Sequence, residues 1–123
     1  TNGLNEIWEE AERLDIADRI VVIVGSDFGR TPGYNAGNGK DHWSITSMLF
    51  MGAGIRGNRV IGHTDERHRA LKVDPSTLEP VTTGGITLTP SHVQRALRKL
   101  SGIGESELIS RFPVTAEDLN LFG

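Results

Sequence analysis

The stretch from Ile20 to Val60, IVVIVGSDFGRTPGYNAGNGKDHWSITSMLFMGAGIRGNRV, decides how the rest of the chain is interpreted. It opens with an apolar run, Ile20–Val24, whose β-branched residues do not alternate with polar ones. Such a run predicts a strand that is buried on both faces, as in a parallel sheet. A second apolar run, Met48–Met51, predicts another strand. A polar loop rich in glycine and asparagine lies between them, and long loops inside a domain are usually functional or disordered.

A helix is predicted before the first strand. Its apolar residues recur at the spacing of one helical face: Leu4, Ile7, Trp8, Ala11 and Leu14. A helix followed by a buried strand is half of an α/β unit. The fold class predicted from the sequence is therefore α/β with a mostly parallel sheet.

A small antiparallel excursion is predicted after this core. Short strands are expected at Ala70–Val73 and Glu79–Val81, with a turn at Asp74-Pro75-Ser76 between them. This excursion would stand beside the parallel sheet without belonging to it.

The last third of the chain predicts helices and a packed tail. Thr89 is suited to cap a helix that begins at Pro90, and Gly102 is suited to end it. A short helix is expected near Glu105–Ser110. The tail ends apolar at Leu121-Phe122, so we expect it to pack against the body.

Composition excludes some classes of function. The 123 residues carry 13 Lys and Arg against 16 Asp and Glu, a net charge of −3, which argues against general nucleic-acid binding. No apolar stretch approaches the roughly 20 residues that cross a bilayer. The chain has no cysteine, so disulfides and thiolate metal sites are excluded. No signal peptide is predicted within it, because Thr1–Glu12 is polar and acidic.

The loop between the two predicted strands holds four candidate site residues. Asp27 directly follows a strand, where a carboxylate is commonly a metal ligand or general base, although it could instead cap the loop. His42 lies at the far end of the same loop and could be a second ligand. Arg30 and Lys40 could hold an anion such as phosphate or sulfate, or be ordinary surface residues.

Two glycine-rich patterns are weak. Gly37-Asn38-Gly39-Lys40 lacks the first glycine and the Ser or Thr of a phosphate-binding loop. Gly52–Gly57 reads GAGIRG, the glycine spacing of a dinucleotide-binding fingerprint. The residues after Gly57 predict a strand and not the helix that such a fingerprint opens, so nucleotide binding is the third and weakest hypothesis.

Several motifs in order resemble a bacterial family, domain-of-unknown-function family 1501. They are Ser26–Pro32 (SDFGRTP), Asn38–Trp43 (NGKDHW), Gly52–Gly62 (GAGIRGNRVIG) and Thr64-Asp65-Glu66. The family is grouped with the alkaline phosphatase and sulfatase superfamily. The resemblance implies an α/β/α sandwich, and it implies that residues 1–123 are the C-terminal segment of such a domain.

The resemblance also implies a site. Asp27 matches the Asp of the superfamily's metal-binding Asp-His pair, Phe28 stands where the His would be, and His42 matches a later metal-binding His. A divalent metal is implied: zinc, manganese or calcium. Arg30 and Lys40 would bind the substrate anion. The nucleophile of the superfamily lies outside this chain, and full-length members are often exported through a twin-arginine-type signal.

Two main hypotheses follow. The first is a metal-dependent hydrolase of phosphate or sulfate esters, acting on a small anionic substrate. The second is an exported binding or scaffold protein that has lost part of the metal site, for which Phe28 is the best support. We also expect this chain to self-associate, because a sheet with an open edge is a template for further pairing.

Overall fold

The computed structural model describes residues 2–123 and contains three helices and six short strands. The helices are α1 (Asn2–Arg13), α2 (Pro90–Leu100) and the single turn α3 (Glu107–Ser110). The strands are β1 (Val21–Val24), β2 (Gly29–Arg30), β3 (His42–Trp43), β4 (Leu49–Gly52), β5 (Lys72–Val73) and β6 (Pro80–Val81).

The strands form three separate two-stranded sheets, all of them antiparallel: β1 with β4, β2 with β3, and β5 with β6. The predicted α/β/α sandwich with a mostly parallel sheet is therefore wrong. No parallel pair occurs within residues 2–123. The antiparallel excursion is present as the β5–β6 pair, which forms a sheet of its own.

The connection between β1 and β4 explains the error. Parallel neighbours need a crossover, usually a helix, whereas antiparallel neighbours need only a return of the chain. The residues between β1 and β4 contain the β2–β3 hairpin and no helix, so the chain comes back antiparallel, with Val21 opposite Gly52 and Val24 opposite Leu49. The apolar runs identified the strands but carried no information on their direction.

Burial on both faces was also predicted wrongly for β1. Ile23 and Val24 are 42% and 46% exposed, and Leu49 opposite Val24 is 49% exposed. α1 covers one end of this pair, where the Trp8 indole nitrogen lies 3.2 Å from the Met51 sulfur.

The core lies between α2 and the C-terminal segment. Its buried residues are Leu78, Ala96, Leu119, Leu121 and Phe122. The Phe122 ring packs against Phe50 of β4, with ring centroids 5.1 Å apart. The predictions that α2 begins at Pro90 after a Thr89 cap and that the apolar tail packs on the body are confirmed.

Hydrogen bonds to its backbone carbonyls hold the C-terminal segment in place. The Arg59 guanidinium donates to the Leu121 carbonyl at 2.7 Å, and the Arg56 amide donates to the Phe122 carbonyl at 2.6 Å. The segment therefore joins the loop after β4 to α2. None of the helices in the part of the chain that the structure describes is long and apolar enough to cross a membrane.

Candidate functional site

The β2–β3 hairpin brings the predicted site residues into one loop. Gly29 pairs with Trp43 and Arg30 pairs with His42. Thr31, just after β2, continues this pairing with Asp41, just before β3. The Thr31 amide donates to the Asp41 carbonyl at 3.0 Å, and the Thr31 hydroxyl accepts from the Asp41 amide at 3.1 Å. The stretch 25–44, predicted as a continuous loop, therefore contains a paired hairpin.

Asn35 organises the tip of this hairpin. Its side-chain oxygen accepts hydrogen bonds from the amides of Gly37 and Gly39, both at 3.0 Å, and its side-chain nitrogen donates to the Asp41 carboxylate at 2.8 Å. This is the local hydrogen bonding by which asparagine stabilises turns. The tip is ordered by its own side chains and holds Asp41 in a fixed orientation.

Phe28, Arg30 and His42 form a stack on one face of the hairpin. The rings of Phe28 and His42 lie 3.6 Å apart at 17°, and the Arg30 guanidinium carbon lies 4.9 Å from the Phe28 ring centroid. The register accounts for this. Arg30 and His42 are directly opposite, and Phe28 precedes Arg30 by the two residues that return a side chain to the same face of an extended chain.

Two cations of the hairpin are oriented without an acidic partner. Arg30 donates one N–H to the Lys40 carbonyl at 3.0 Å, and the Lys40 ammonium lies 5.2 Å from the Tyr34 ring centroid. Both side chains are exposed. None of the ion pairs within residues 2–123 involves either of them.

Asp27 stands apart from the stack. It lies at an exposed bend before β2, and the neighbouring hydrogen bond, from the Ser26 hydroxyl to the Phe28 carbonyl at 2.9 Å, does not use its carboxylate. The structure brings Arg30, Lys40 and His42 together in one hairpin. It shows no contact that joins Asp27 to His42.

The possible metal ligands are not clustered in the part of the chain that the structure describes. Protein zinc sites typically use about three or four ligands from the chain. Across residues 2–123, no group of three His, Cys, Asp or Glu side chains is arranged to hold a metal ion. The assignment of Asp27 and His42 as metal ligands stays a prediction.

A further contact anchors the hairpin to the loop that follows β4. The Trp43 indole N–H donates to the His68 carbonyl at 2.9 Å. That loop is held by Asp65, which accepts hydrogen bonds from the Arg67 and Arg69 amides and from the Arg69 guanidinium. The hydrogen bonds from Arg69 lower the pKa of the Asp65 carboxyl below its ordinary value. Asp65 therefore has a structural role in this loop.

Sequence reasoning missed the roles of Phe28, Tyr34 and Asn35. Phe28 was interpreted only as a missing ligand, although an aromatic residue two positions before an arginine on a strand is a signal for stacking. Asn35 followed by Gly37 and Gly39 is a signal for an asparagine-centred turn. No helix begins at Gly57, and the strand predicted after it is also absent, since no helix or strand lies between β4 and β5.

The structure defines a small α+β protein with an exposed cationic hairpin. The chain belongs to the family described as protein of unknown function (DUF1501), whose model matches residues 2–93. This range includes the whole hairpin and ends within α2. No curated protein and no solved structure matches the chain.

Proposed function

We propose that the chain is a binding module whose β2–β3 hairpin recognises a phosphate- or sulfate-type anion through Arg30 and Lys40. One observation carries the proposal. The Arg30 guanidinium is held by the Lys40 carbonyl and the Phe28 ring, and none of the carboxylates described in residues 2–123 forms an ion pair with it.

The geometry of Arg30 supports anion binding specifically. A guanidinium has five N–H donors in a planar fork that matches the oxygens of phosphate and sulfate. Arg30 uses one of these N–H groups on the Lys40 carbonyl. The remaining donors are free to bind two oxygens of one anion, with the Lys40 ammonium as a second positive charge. Because the site is exposed, binding should weaken as salt is added.

The aromatic stack supports a role in binding. Phe28 and His42 are in direct ring contact, so the face of the His42 imidazole is covered by an apolar ring. Fixing the rings also fixes Arg30, which lies over Phe28, and a fixed guanidinium loses less side-chain entropy on binding. The stack thus holds the Arg30 side chain in one orientation before the anion binds.

Isothermal titration calorimetry with sodium sulfate tests the proposal. Arg30→Ala should weaken sulfate binding about tenfold or more, since a charge-assisted hydrogen bond contributes about 1.5–3 kcal/mol. Arg19→Ala is the matched control, because Arg19 is exposed and its ion pair with Asp18 is long at 4.0 Å. Equal affinity of the Arg30→Ala variant and the wild type would exclude the hairpin as the site.

Metal-dependent hydrolysis of a bound ester is the second candidate. The observation that favours it is that Asp27, just before β2, and His42, in β3, are both exposed near the base of the hairpin. Elemental analysis separates the two candidates. Stoichiometric metal that is lost in both Asp27→Ala and His42→Ala would support the hydrolase. Sulfate binding by a metal-free wild type, inert towards phosphate and sulfate esters, would support the binding module.

A further inference from the structure

A second charged cavity lies far along the chain from the hairpin. It has a volume of about 360 Å³ and opens between the C-terminal half of α2 and the segment 102–118. Its position is outside residues 2–93, which the family model matches. The cavity is therefore a feature of the C-terminal part of this chain and independent of the hairpin proposal.

Three cations of α2 line this cavity: Arg95, Arg98 and Lys99. Residues spaced by three and four positions share one face of a helix, so the three side chains project towards the same space. Two carboxylates, Glu105 and Asp118, also lie on the wall. The lining therefore has an excess of positive charge.

The cations are oriented by the chain that faces them. Arg95 donates to the Ala116 carbonyl at 3.1 Å and Arg98 donates to the Phe112 carbonyl at 2.7 Å. Each of these bonds uses one N–H of a guanidinium that has five. Lys99 pairs with Asp118 at 3.0 Å. The guanidinium groups of Arg95 and Arg98 are thus fixed at the cavity wall, and each keeps further N–H groups that could bind an anion.

The end of α2 is capped, which weakens its repulsion of an anion beside it. The last carbonyls of a helix carry partial negative charge that would repel an anion. Here the Leu97 carbonyl accepts from the Ser101 amide and hydroxyl, the Arg98 carbonyl accepts from the Ile103 amide, and the Lys99 carbonyl accepts from the Gly102 amide. These hydrogen bonds reduce the repulsion that the helix terminus would otherwise exert.

The opposite wall is apolar. Ile109 and Val114 face the cavity, and Gly104 leaves a stretch of wall without a side chain. Ligand sites typically combine apolar walls with a few oriented polar groups. We propose that this cavity binds a small organic anion, with its carboxylate or sulfonate on Arg95 and Arg98 and its apolar body against Ile109 and Val114.

Indole-3-acetate is a suitable probe of this site, followed by amide chemical shifts of the ¹⁵N-labelled protein. We expect shifts concentrated at Gly102, Gly104 and Val114, and weaker binding of inorganic sulfate, which has no apolar body. Arg98→Ala should reduce the affinity for indole-3-acetate about tenfold, because a charge-assisted hydrogen bond is lost.

A second variant keeps the test decisive if Arg98→Ala alters the fold. Gly104→Leu retains all three cations and fills part of the cavity; a side chain there would begin in ordinary contact with Lys99, 3.5 Å from its Cα. Gly104→Leu should abolish the chemical-shift changes that indole-3-acetate causes in the wild type. Arg30→Ala should leave them unchanged, which separates this site from the hairpin. Three results would overturn the proposal. They are unchanged binding of indole-3-acetate by Gly104→Leu, equal affinity of the wild type for sulfate and indole-3-acetate, and no chemical-shift changes at these amides in the wild type.

Discussion

Glu117 joins the C-terminal segment to α2 through a single side-chain contact with His92. The distance from His92 Nε2 to the Glu117 carboxylate is 2.8 Å, and the His92 side chain is only 6% exposed. The other imidazole nitrogen, Nδ1, accepts from the Thr89 amide at 3.1 Å. Because Nδ1 accepts a hydrogen bond there, Nε2 is the nitrogen that carries a hydrogen, and it donates a hydrogen bond to the Glu117 carboxylate.

This contact predicts a pH dependence of stability. The hydrogen bond from His92 lowers the pKa of the Glu117 carboxyl below its ordinary value. A carboxyl with a lowered folded-state pKa contributes stability above its unfolded pKa and loses it as the pH falls through the folded pKa. The difference in unfolding free energy between wild type and Glu117→Gln should therefore be largest near neutral pH and shrink below about pH 4.

Urea unfolding at several pH values measures this difference. Glu9→Gln is the matched control, because it makes the same change of charge on an exposed residue of α1. If the unfolding free energies of the wild type and Glu117→Gln differ by the same amount at neutral and at acidic pH, the prediction is contradicted.

At the scale of elements, the hairpin depends on a glycine in β2. A Cβ on Gly29 would overlap the Ile45 carbonyl oxygen, whereas a Cβ on Gly33 would meet nothing within 4 Å. Gly29→Ala should destabilise the hairpin by about 1–3 kcal/mol, the usual cost of forcing extra atoms into a packed position. Gly33→Ala should have little effect.

Amide hydrogen exchange measures this prediction locally. The Thr31 amide, bonded to the Asp41 carbonyl, should exchange faster in Gly29→Ala and at the wild-type rate in Gly33→Ala. If Arg30 binds sulfate as proposed, Gly29→Ala should also bind it more weakly. Equal exchange in the two variants would mean that the backbone accommodates the methyl group without opening the hairpin.

The sequence predicted elements better than their arrangement. Local signals located α2, where Thr89 and Pro90 mark the first turn, and β1, where β-branched residues favour extended backbone. They could not supply the pairing direction of β1 and β4, which depends on how the intervening chain returns. The expected parallel sheet therefore failed although both of its strands exist.

The candidate site was predictable to a similar degree. The concentration of Arg30, Lys40 and His42 in one loop could be expected from spacing alone. The stack of Phe28 on His42 could not, because it depends on the β2–β3 register, which pairs Arg30 with His42. A shift of register by one residue would place these side chains on opposite faces.

At the scale of the whole molecule, the C-terminal segment completes the core. Phe122 is 7% exposed and packs on Phe50. Phe122→Ala should lower the unfolding free energy by about 3–5 kcal/mol, the usual cost of removing a buried aromatic side chain. Phe112→Ala is the control, because Phe112 is 70% exposed. Thermal unfolding of both variants measures this effect. Equal midpoint temperatures for the two variants would refute the role of Phe122 in the core.

Self-association is also a prediction at this scale. β1 and β4 form a two-stranded sheet with an open edge on each side, and Val24 and Leu49 are exposed at one end of it. Open apolar edges favour pairing with another copy. Leu49→Lys should reduce the mass measured by light scattering at high concentration, whereas Val60→Lys, at a residue 80% exposed, should not. A wild type that stays monomeric at high concentration would exclude this association.

The two tryptophans lie in two different contacts of the molecule, which can be observed separately. Trp8 contacts Met51 where α1 covers the β1–β4 sheet, while Trp43 reaches across to the His68 carbonyl from the hairpin. Single-tryptophan variants would therefore give one fluorescence signal for the helix–sheet contact and another for hairpin docking. Because no strand is shared between these sheets, the emission of Trp43 can change on ligand binding while that of Trp8 stays constant.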